Sequence, residues 1–185
     1  VDSLHAYGDY DEASMFSYAA GKVAEIITKQ SFADKRVIYQ AHEWMSGLGM
    51  LFLQHNCPEV RTIFTTHATS IGRSIAGNNK LLYAYFEGYN GDQMASELSM
   101  EAKHSIEKQS AHRTHCFTTV SDFTDRECAQ LLDKPADVVL PNGFELDFVP
   151  KGAAFTSKRR QARQRIFQVA QALTGQTFDN DTLII

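Results

Sequence analysis

The sequence predicts an α/β fold, a parallel sheet wrapped by helices on both faces. Three observations carry that expectation. Short apolar runs (Val37-Ile38-Tyr39, Ile63-Phe64, Cys116-Phe117, Val138-Val139-Leu140) alternate with longer stretches whose apolar residues repeat at helical spacing. Helix-length segments rather than two-residue hairpin turns join these runs, as crossover units require. Several runs also close on small polar, turn-forming residues, at the strand ends where an open parallel sheet places its ligands.

In order along the chain, residues 1–11 are rich in Asp, Tyr and Gly and read as a loop. It delivers Asp9, Asp11 and Glu12 to a first helical turn, where carboxylates complement the dipole. From Ala13 to Lys29 the apolar set Phe16, Ala19, Ala20, Val23, Ile26 and Ile27 predicts a helix. Arg36 to Gln40 reads as a buried strand, followed by His42-Glu43-Trp44. Trp44, Leu48, Leu51 and Phe52 outline a second helix to Asn56, where Pro58 forbids continuation. Gly47 and Gly49 each cost that helix about 1 kcal/mol of propensity, so a neighbouring backbone or ligand is expected close by.

Val60 to Thr66 is the next strand and the Thr/Ser/Gly group after it a turn. Gly77-Asn78-Asn79 breaks the pattern before an aromatic segment, Tyr83, Tyr85, Phe86 and Tyr89, that Gly88 and Gly91 restrict to a loop or short helix. Asp92 is expected to cap one long helix in which Met94, Leu98, Ala102 and Ile106 form a continuous core stripe. Cys116 to Val120 is a strand, and Thr124-Asp125-Arg126-Glu127 has capping-box spacing for a helix through Leu132. Val138 to Leu140 is a strand stopped by Pro141-Asn142-Gly143. Ala153 to Leu173 is a basic helix, and Leu183-Ile184-Ile185 opens another strand.

The pattern gives one domain over residues 1–150 and, over residues 151–185, a linker helix with the first strand of a second domain. The chain starts on Val1 without Met and closes on an apolar run, so a fragment or processed piece of a larger protein is expected. At 185 residues and 43% hydrophobic it can bury one good core. A net charge of -4 gives no basic field for a nucleic-acid backbone or an anionic membrane surface. No apolar run approaches the ~18 residues of a membrane span, and no export leader shows. Cys57, Cys116 and Cys128 lack C-x-x-C spacing, which points to reduced cytoplasmic thiols rather than a disulfide framework or thiolate zinc site.

In a parallel sheet the groups His42-Glu43-Trp44, His67 to Arg73, Thr119-Val120-Ser121 and Pro141-Asn142-Gly143 gather on one edge. There the His67 imidazole can exchange hydrogen bonds with a sugar hydroxyl, and the Arg73 guanidinium offers a planar fork to phosphate oxygens. On local chemistry alone, an ordinary strand-end histidine and a surface arginine are the commoner occurrence.

Taken together, Ala41-His42-Glu43-Trp44-x-x-Gly47, Phe64-Thr65-Thr66-His67-Ala68-Thr69-x-x-Gly72-Arg73, Ile106-Glu107-Lys108-x-x-Ala111-His112, Phe117-Thr118-Thr119-Val120-Ser121 and Pro141-Asn142-Gly143 resemble the N-terminal half of glycogen synthases. The likeness is to the animal and fungal type, also found in some bacteria, and it runs in order over most of the chain. It implies a Rossmann-like domain of the two-domain GT-B architecture. It also implies a cytoplasmic retaining transferase that moves glucose from UDP-glucose to the non-reducing end of an α-1,4-glucan, with no cofactor and no metal. By motif, His67 resembles the catalytic histidine beside the donor glucose, and Arg73 resembles an arginine at the donor phosphates. Asn142 and Gly143 resemble the donor-side loop leading to the hinge, while His42, Glu43 and Trp44 resemble the lining of the sugar cleft. A homo-oligomer is compatible with the full-length form.

The family's glycine-rich loop has no counterpart before Val1, and its paired glutamates and nucleotide-holding Arg/Lys pair would follow Ile185, so this piece alone is expected to be inactive. The regulatory His and Gln residues of eukaryotic members are not matched at Gly152-Ala153-Ala154-Phe155. Two alternatives stay open: a starch synthase-like or other GT-B enzyme with another donor, and a non-catalytic binding module of the same fold. Thr66-His67-Ala68-Thr69 favours the animal and fungal pattern, and hence UDP-glucose. His112 with His115, or His42 with Glu43, lacks a third ligand for a metal, and no G-x-S-x-G elbow is present. Lys158, Arg159, Arg160, Arg163 and Arg165 read as a solvated helical face.

Overall fold

Among the described residues, four strands, β1 (Ile38–His42), β2 (Arg61–Thr66), β3 (Cys116–Thr119) and β4 (Val138–Val139), lie parallel in the order β1-β2-β3-β4. The structure is a computed structural model that describes residues 10–143, 145, 149–179 and 181–183. The helices joining and flanking these strands are α1 (Asp11–Ser31), α2 (Trp44–Asn56), α3 (Ser70–Gly77), α4 (Gly91–Glu97), α5 (Glu101–Arg113) and α6 (Asp122–Leu131), and a further helix, α7 (Ala154–Thr174), follows later in the chain. This is the expected α/β arrangement of a parallel sheet with helical crossovers. The chain divides into two units, residues 1–142 and 143–185.

Parallel pairing fixes which residues reach the carboxyl edge together. Ala41 pairs with Phe64 and His42 with Thr65, while Phe64 pairs with Phe117 and Thr66 with Thr119. Side chains alternate across the sheet, so Ala41, Phe64 and Phe117 share one face. There they form a buried core with Met50, Ala111, Cys128 and Leu132, brought by the helices and the turn after α6. Phe64 and Phe117 stack with centroids 6.0 Å apart. On the alternate face Ile38 and Val138 are exposed. A second cluster, including Ile71, Ile75, Met94, Met100 and Leu131, seats α3 and α4 against α6.

The backbone approach expected at Gly47 and Gly49 is present at Gly49, whereas at Gly47 it is the Ser110 side chain that comes close. A Cβ at Gly49 would run into the Ser17 carbonyl, and the Gly49 N–H donates to Ser17 Oγ at 2.8 Å, so α1 and α2 meet backbone to backbone. Strand β1 lies two residues later than expected: its ladder with β2 starts at Ile38, opposite Arg61, and runs on to His42, opposite Thr65. The aromatic segment holds a short 3-10 turn, Phe86–Gly88.

Two expectations are corrected. The single helix expected from Asp92 is broken: Ser99 takes φ 53°, Met100 N–H turns back to the Ala95 carbonyl, and α5 restarts at Glu101. The break changes the rotational phase, so Ala102 and Ile106 are only half-buried and α5 instead buries His104, Glu107, Ser110 and Ala111. Asn90, not Asp92, caps α4, and Asp92 binds Lys108 and His104. Burial lowers the pKa of that histidine, against the pull of Asp92. The cap of α6 is Ser121, whose Oγ accepts from Thr124 N–H at 3.1 Å, so Thr124 is already inside the helix.

In the second unit α7 ends at Gly175, φ 72°, and Phe167 stacks on Phe178 at 5.9 Å with Arg163 over its ring. Lys158, Arg159 and Arg160 are exposed. The expected loop before Tyr10 and most of the strand expected at Leu183–Ile185 lie outside the described residues. Among the described residues no helix is long and apolar enough to cross a membrane.

Candidate active site

The register that pairs His42 with Thr65 sets the ends of β1 and β2 side by side. Between β1 and α2 the chain turns at Glu43, whose backbone takes φ 63°, ψ 164°, a conformation that is essentially reserved for glycine. The surroundings hold it there. Glu43 N–H donates to the Thr65 carbonyl at 2.8 Å, and Ser46 returns its N–H to the Glu43 carbonyl at 3.1 Å and its hydroxyl to the His42 carbonyl at 2.5 Å. The turn lays the Glu43 carboxylate across the end of β2. Its Oε1 accepts from His67 N–H at 2.9 Å and stands 3.6 Å from an Arg73 guanidinium nitrogen. His42 Nδ1 and His67 Nε2 are 3.0 Å apart, so one imidazole donates to the other.

The segment from Thr66 to Arg73 is fastened from beneath by two glutamates. Glu107, on α5, is fully buried; its Oε2 accepts from Ser70 N–H at 2.7 Å and its Oε1 from the Thr66 hydroxyl at 3.2 Å. Burial pushes the Glu107 carboxyl up to about 7, with the nearby Glu43 carboxylate adding to the rise and the Ser70 and Thr66 bonds opposing it. Glu127, on α6, accepts from the Thr69 hydroxyl at 2.9 Å and from the Tyr83 hydroxyl at 2.6 Å. That bond and burial raise the pKa of Tyr83. Thr69 Oγ1 caps α3 by accepting from Gly72 N–H at 3.1 Å. A Cβ on Gly72 would crowd Thr69 Oγ1 and lie 2.9 Å from Glu127 Oε2, so only glycine fits this packing.

Of the residues singled out from sequence, His42, Glu43, His67 and Arg73 therefore form one connected group. Trp44 begins α2 beside it and lines an open groove of about 460 Å³ with Ser70, Arg73, Ser74, Asn78 and Lys103. The Lys103 ammonium lies 5.4 Å from the Trp44 ring centre. Asn142 is exposed just beyond β4, and Gly143 begins the second unit. His112 and His115 serve the fold: His112 Nε2 meets the Leu132 carbonyl at 2.7 Å, and His115 Nδ1 accepts from Thr62 N–H at 3.1 Å. Among the described residues no group of three His, Cys, Asp or Glu side chains is placed to hold a metal ion.

Glu107 and Glu127 are the parts that sequence reasoning missed as site residues. Glu107 sits at helical spacing with His104, Ser110 and Ala111, a small and polar face that offered one signal of burial. The assembled group has an exposed guanidinium, two hydrogen-bonded imidazoles and a carboxylate on a rim fixed by buried acids. It can bond sugar hydroxyls and balance negative charge on phosphate oxygens.

A family model described as Glycogen synthase matches residues 3–182. Among curated relatives, a "Glycogen [starch] synthase" of Dictyostelium discoideum is 37% identical over 137 residues, 74% of this chain and 16% of that protein. The human "Glycogen [starch] synthase, liver" is 38% identical over 112 residues, 60% of this chain and 16% of that protein. A Neurospora crassa "Glycogen [starch] synthase" is 31% identical over 157 residues, 84% of this chain and 22% of that protein. The chain thus spans only 16% to 22% of the length of these relatives.

Proposed function

From the premise that this chain belongs to the glycogen synthase family, we propose that it supplies the donor-side rim of a retaining hexosyltransferase. The enzyme moves glucose from UDP-glucose to the non-reducing end of an α-1,4-glucan in the cytoplasm. Residues 1–150 serve as its N-terminal Rossmann-like domain, and residues 151–185 lead into a second domain. The observation that carries the reading is the convergence of His67 and Arg73 on one Glu43 oxygen at the sheet's carboxyl edge.

The leaving group is a nucleoside diphosphate, so the reaction needs positive charge and hydrogen-bond donors on its oxygens as the glycosidic bond loosens. Arg73, with an exposed guanidinium already oriented by Glu43, supplies that charge. His67 is steered twice, by Glu43 at its backbone N–H and by His42 at its ring, and it bonds the glucose hydroxyls. Trp44 and the groove beside it take the sugar end, and Asn142 and Gly143 belong to the donor-side loop. Closure of the second domain over the rim excludes water and strengthens these contacts.

The test is glucosyl transfer to glycogen by the full-length protein, with UDP-glucose and ADP-glucose run in parallel. Transfer from UDP-glucose is expected, and Arg73→Ala should cost about 2 kcal/mol in kcat/KM, roughly 30-fold. Transfer from ADP-glucose alone would overturn the donor assignment, and an Arg73→Ala variant with unchanged kcat/KM would remove Arg73 from the site.

A further inference from the structure

Glu107 is an unfavourable choice for a helix face that packs into a core. A buried carboxylate is costly unless matched by a cation, yet its described partners are a backbone N–H and a hydroxyl, both neutral. A neutral side chain of the same shape would accept from Ser70 and leave a more stable protein. What the carboxylate does achieve is specific. Its two oxygens end on Thr66 and Ser70, the residues on either side of His67, Ala68 and Thr69, and Arg73 stands one helical turn further on. Bonds to a charged acceptor are about twice as strong as neutral ones, so the ionised acid brackets this turn more tightly than an amide would. Glu127 secures the same turn at Thr69, but there the hydroxyl also caps α3, which gives that glutamate a structural use of its own.

We propose that Glu107 is a positioning residue for glucosyl transfer: it brackets the Thr66–Ser70 turn and thereby fixes the angle at which His67 and Arg73 meet the donor. The proposal rests on the reading that those two residues handle the donor. Misplacing them weakens contacts that matter most as the bond breaks, so turnover suffers more than donor binding.

The experiment compares wild-type full-length protein with Glu107→Gln and Glu107→Asp at pH 8, where the native carboxyl is mostly ionised. In Glu107→Gln the domain should melt higher by about 5 °C. Its kcat should fall about tenfold or more and its donor KM change by less than about threefold, while amide exchange across Thr66–Arg73 quickens. Glu107→Asp keeps the charge but is one methylene short of spanning both partners; it should lose kcat without gaining melting temperature. A purely structural role would move stability and turnover in the same direction. The proposal is overturned if Glu107→Gln keeps kcat within about twofold of wild type, or if kcat falls only together with the melting temperature. If wild type transfers glucose from neither UDP-glucose nor ADP-glucose, the donor reading fails by itself. Exchange across Thr66–Arg73 then decides the bracket: quickened in Glu107→Gln supports it, unchanged overturns it.

Discussion

The backbone at Glu43 can be tested by a pair of substitutions whose order of stability runs against the usual rule. Both Glu43→Ala and Glu43→Gly remove the acceptor for His67 N–H, a charge-assisted bond worth about 1.5–3 kcal/mol. Both also remove the ion pair with Arg73, which adds under about 1 kcal/mol because that guanidinium is 61% exposed and 3.6 Å away. They differ in strain. At φ 63°, ψ 164° a residue with a Cβ carries about 1–3 kcal/mol of conformational energy that glycine does not. The greater freedom of glycine in the unfolded chain returns only about 0.4–1 kcal/mol of this. Glu43→Gly is therefore expected to be about 1 kcal/mol more stable than Glu43→Ala, although glycine is the weaker residue at most positions. Urea titrations followed by circular dichroism, with equal slopes for the two variants, give the difference directly. An alanine variant as stable as the glycine variant, or more so, would show that residue 43 is not strained. Wild-type stability in both would show that the His67 bond is not made.

Two further outcomes follow from the same geometry. Gly72→Ala drives a methyl group against Thr69 Oγ1 and Glu127 Oε2 and should cost about 2 kcal/mol in urea titration; a neutral result would mean that the α3 cap is loosely packed. Glu107, whose carboxyl moves from its ordinary 4.5 to about 7, holds in the folded state a proton that the unfolded chain releases. Its contribution thus falls as pH rises from about 4.5 to about 7, a loss of about 3 kcal/mol that is complete above that window. Glu107→Gln should remove this component of the pH dependence, so wild type and variant differ more at pH 8 than at pH 5; equal differences at the two pH values would refute the linkage.

The strand ends were readable because their signals are local. Short apolar runs closed by polar, turn-forming residues mark each strand, and parallel order alone then brings His42, Glu43, His67 and Arg73 to one edge. The Met94-to-Ile106 stripe misled because period-four spacing cannot report a left-handed residue in its path. Ser99 is an ordinary helix residue by propensity, and it is the packing of Met94 and Met100 into one cluster that rewards the break. Once α5 restarts in a new phase, a Glu flanked by Ile106 and Lys108 turns inward, where charge pattern alone would leave it in solvent.

The two features that run against local sequence rules share a character. Glu43 holds a backbone conformation suited to glycine, and Glu107 is an acid in a core position; each opposes the local rule for its site. Had either deviation been a packing accident, it would have no reason to lie near the other, since one is at the start of α2 and the other in the middle of α5. Yet their carboxylates end on the same short segment, one on His67 N–H and the other on Thr66 and Ser70. A fold that accepts two separate costs to fix five consecutive residues, Thr66 to Ser70, is one in which the orientation of those residues matters more than the stability given up. That convergence, and not the mere presence of a histidine and an arginine at a strand end, separates this rim from the polar strand ends found in any α/β domain.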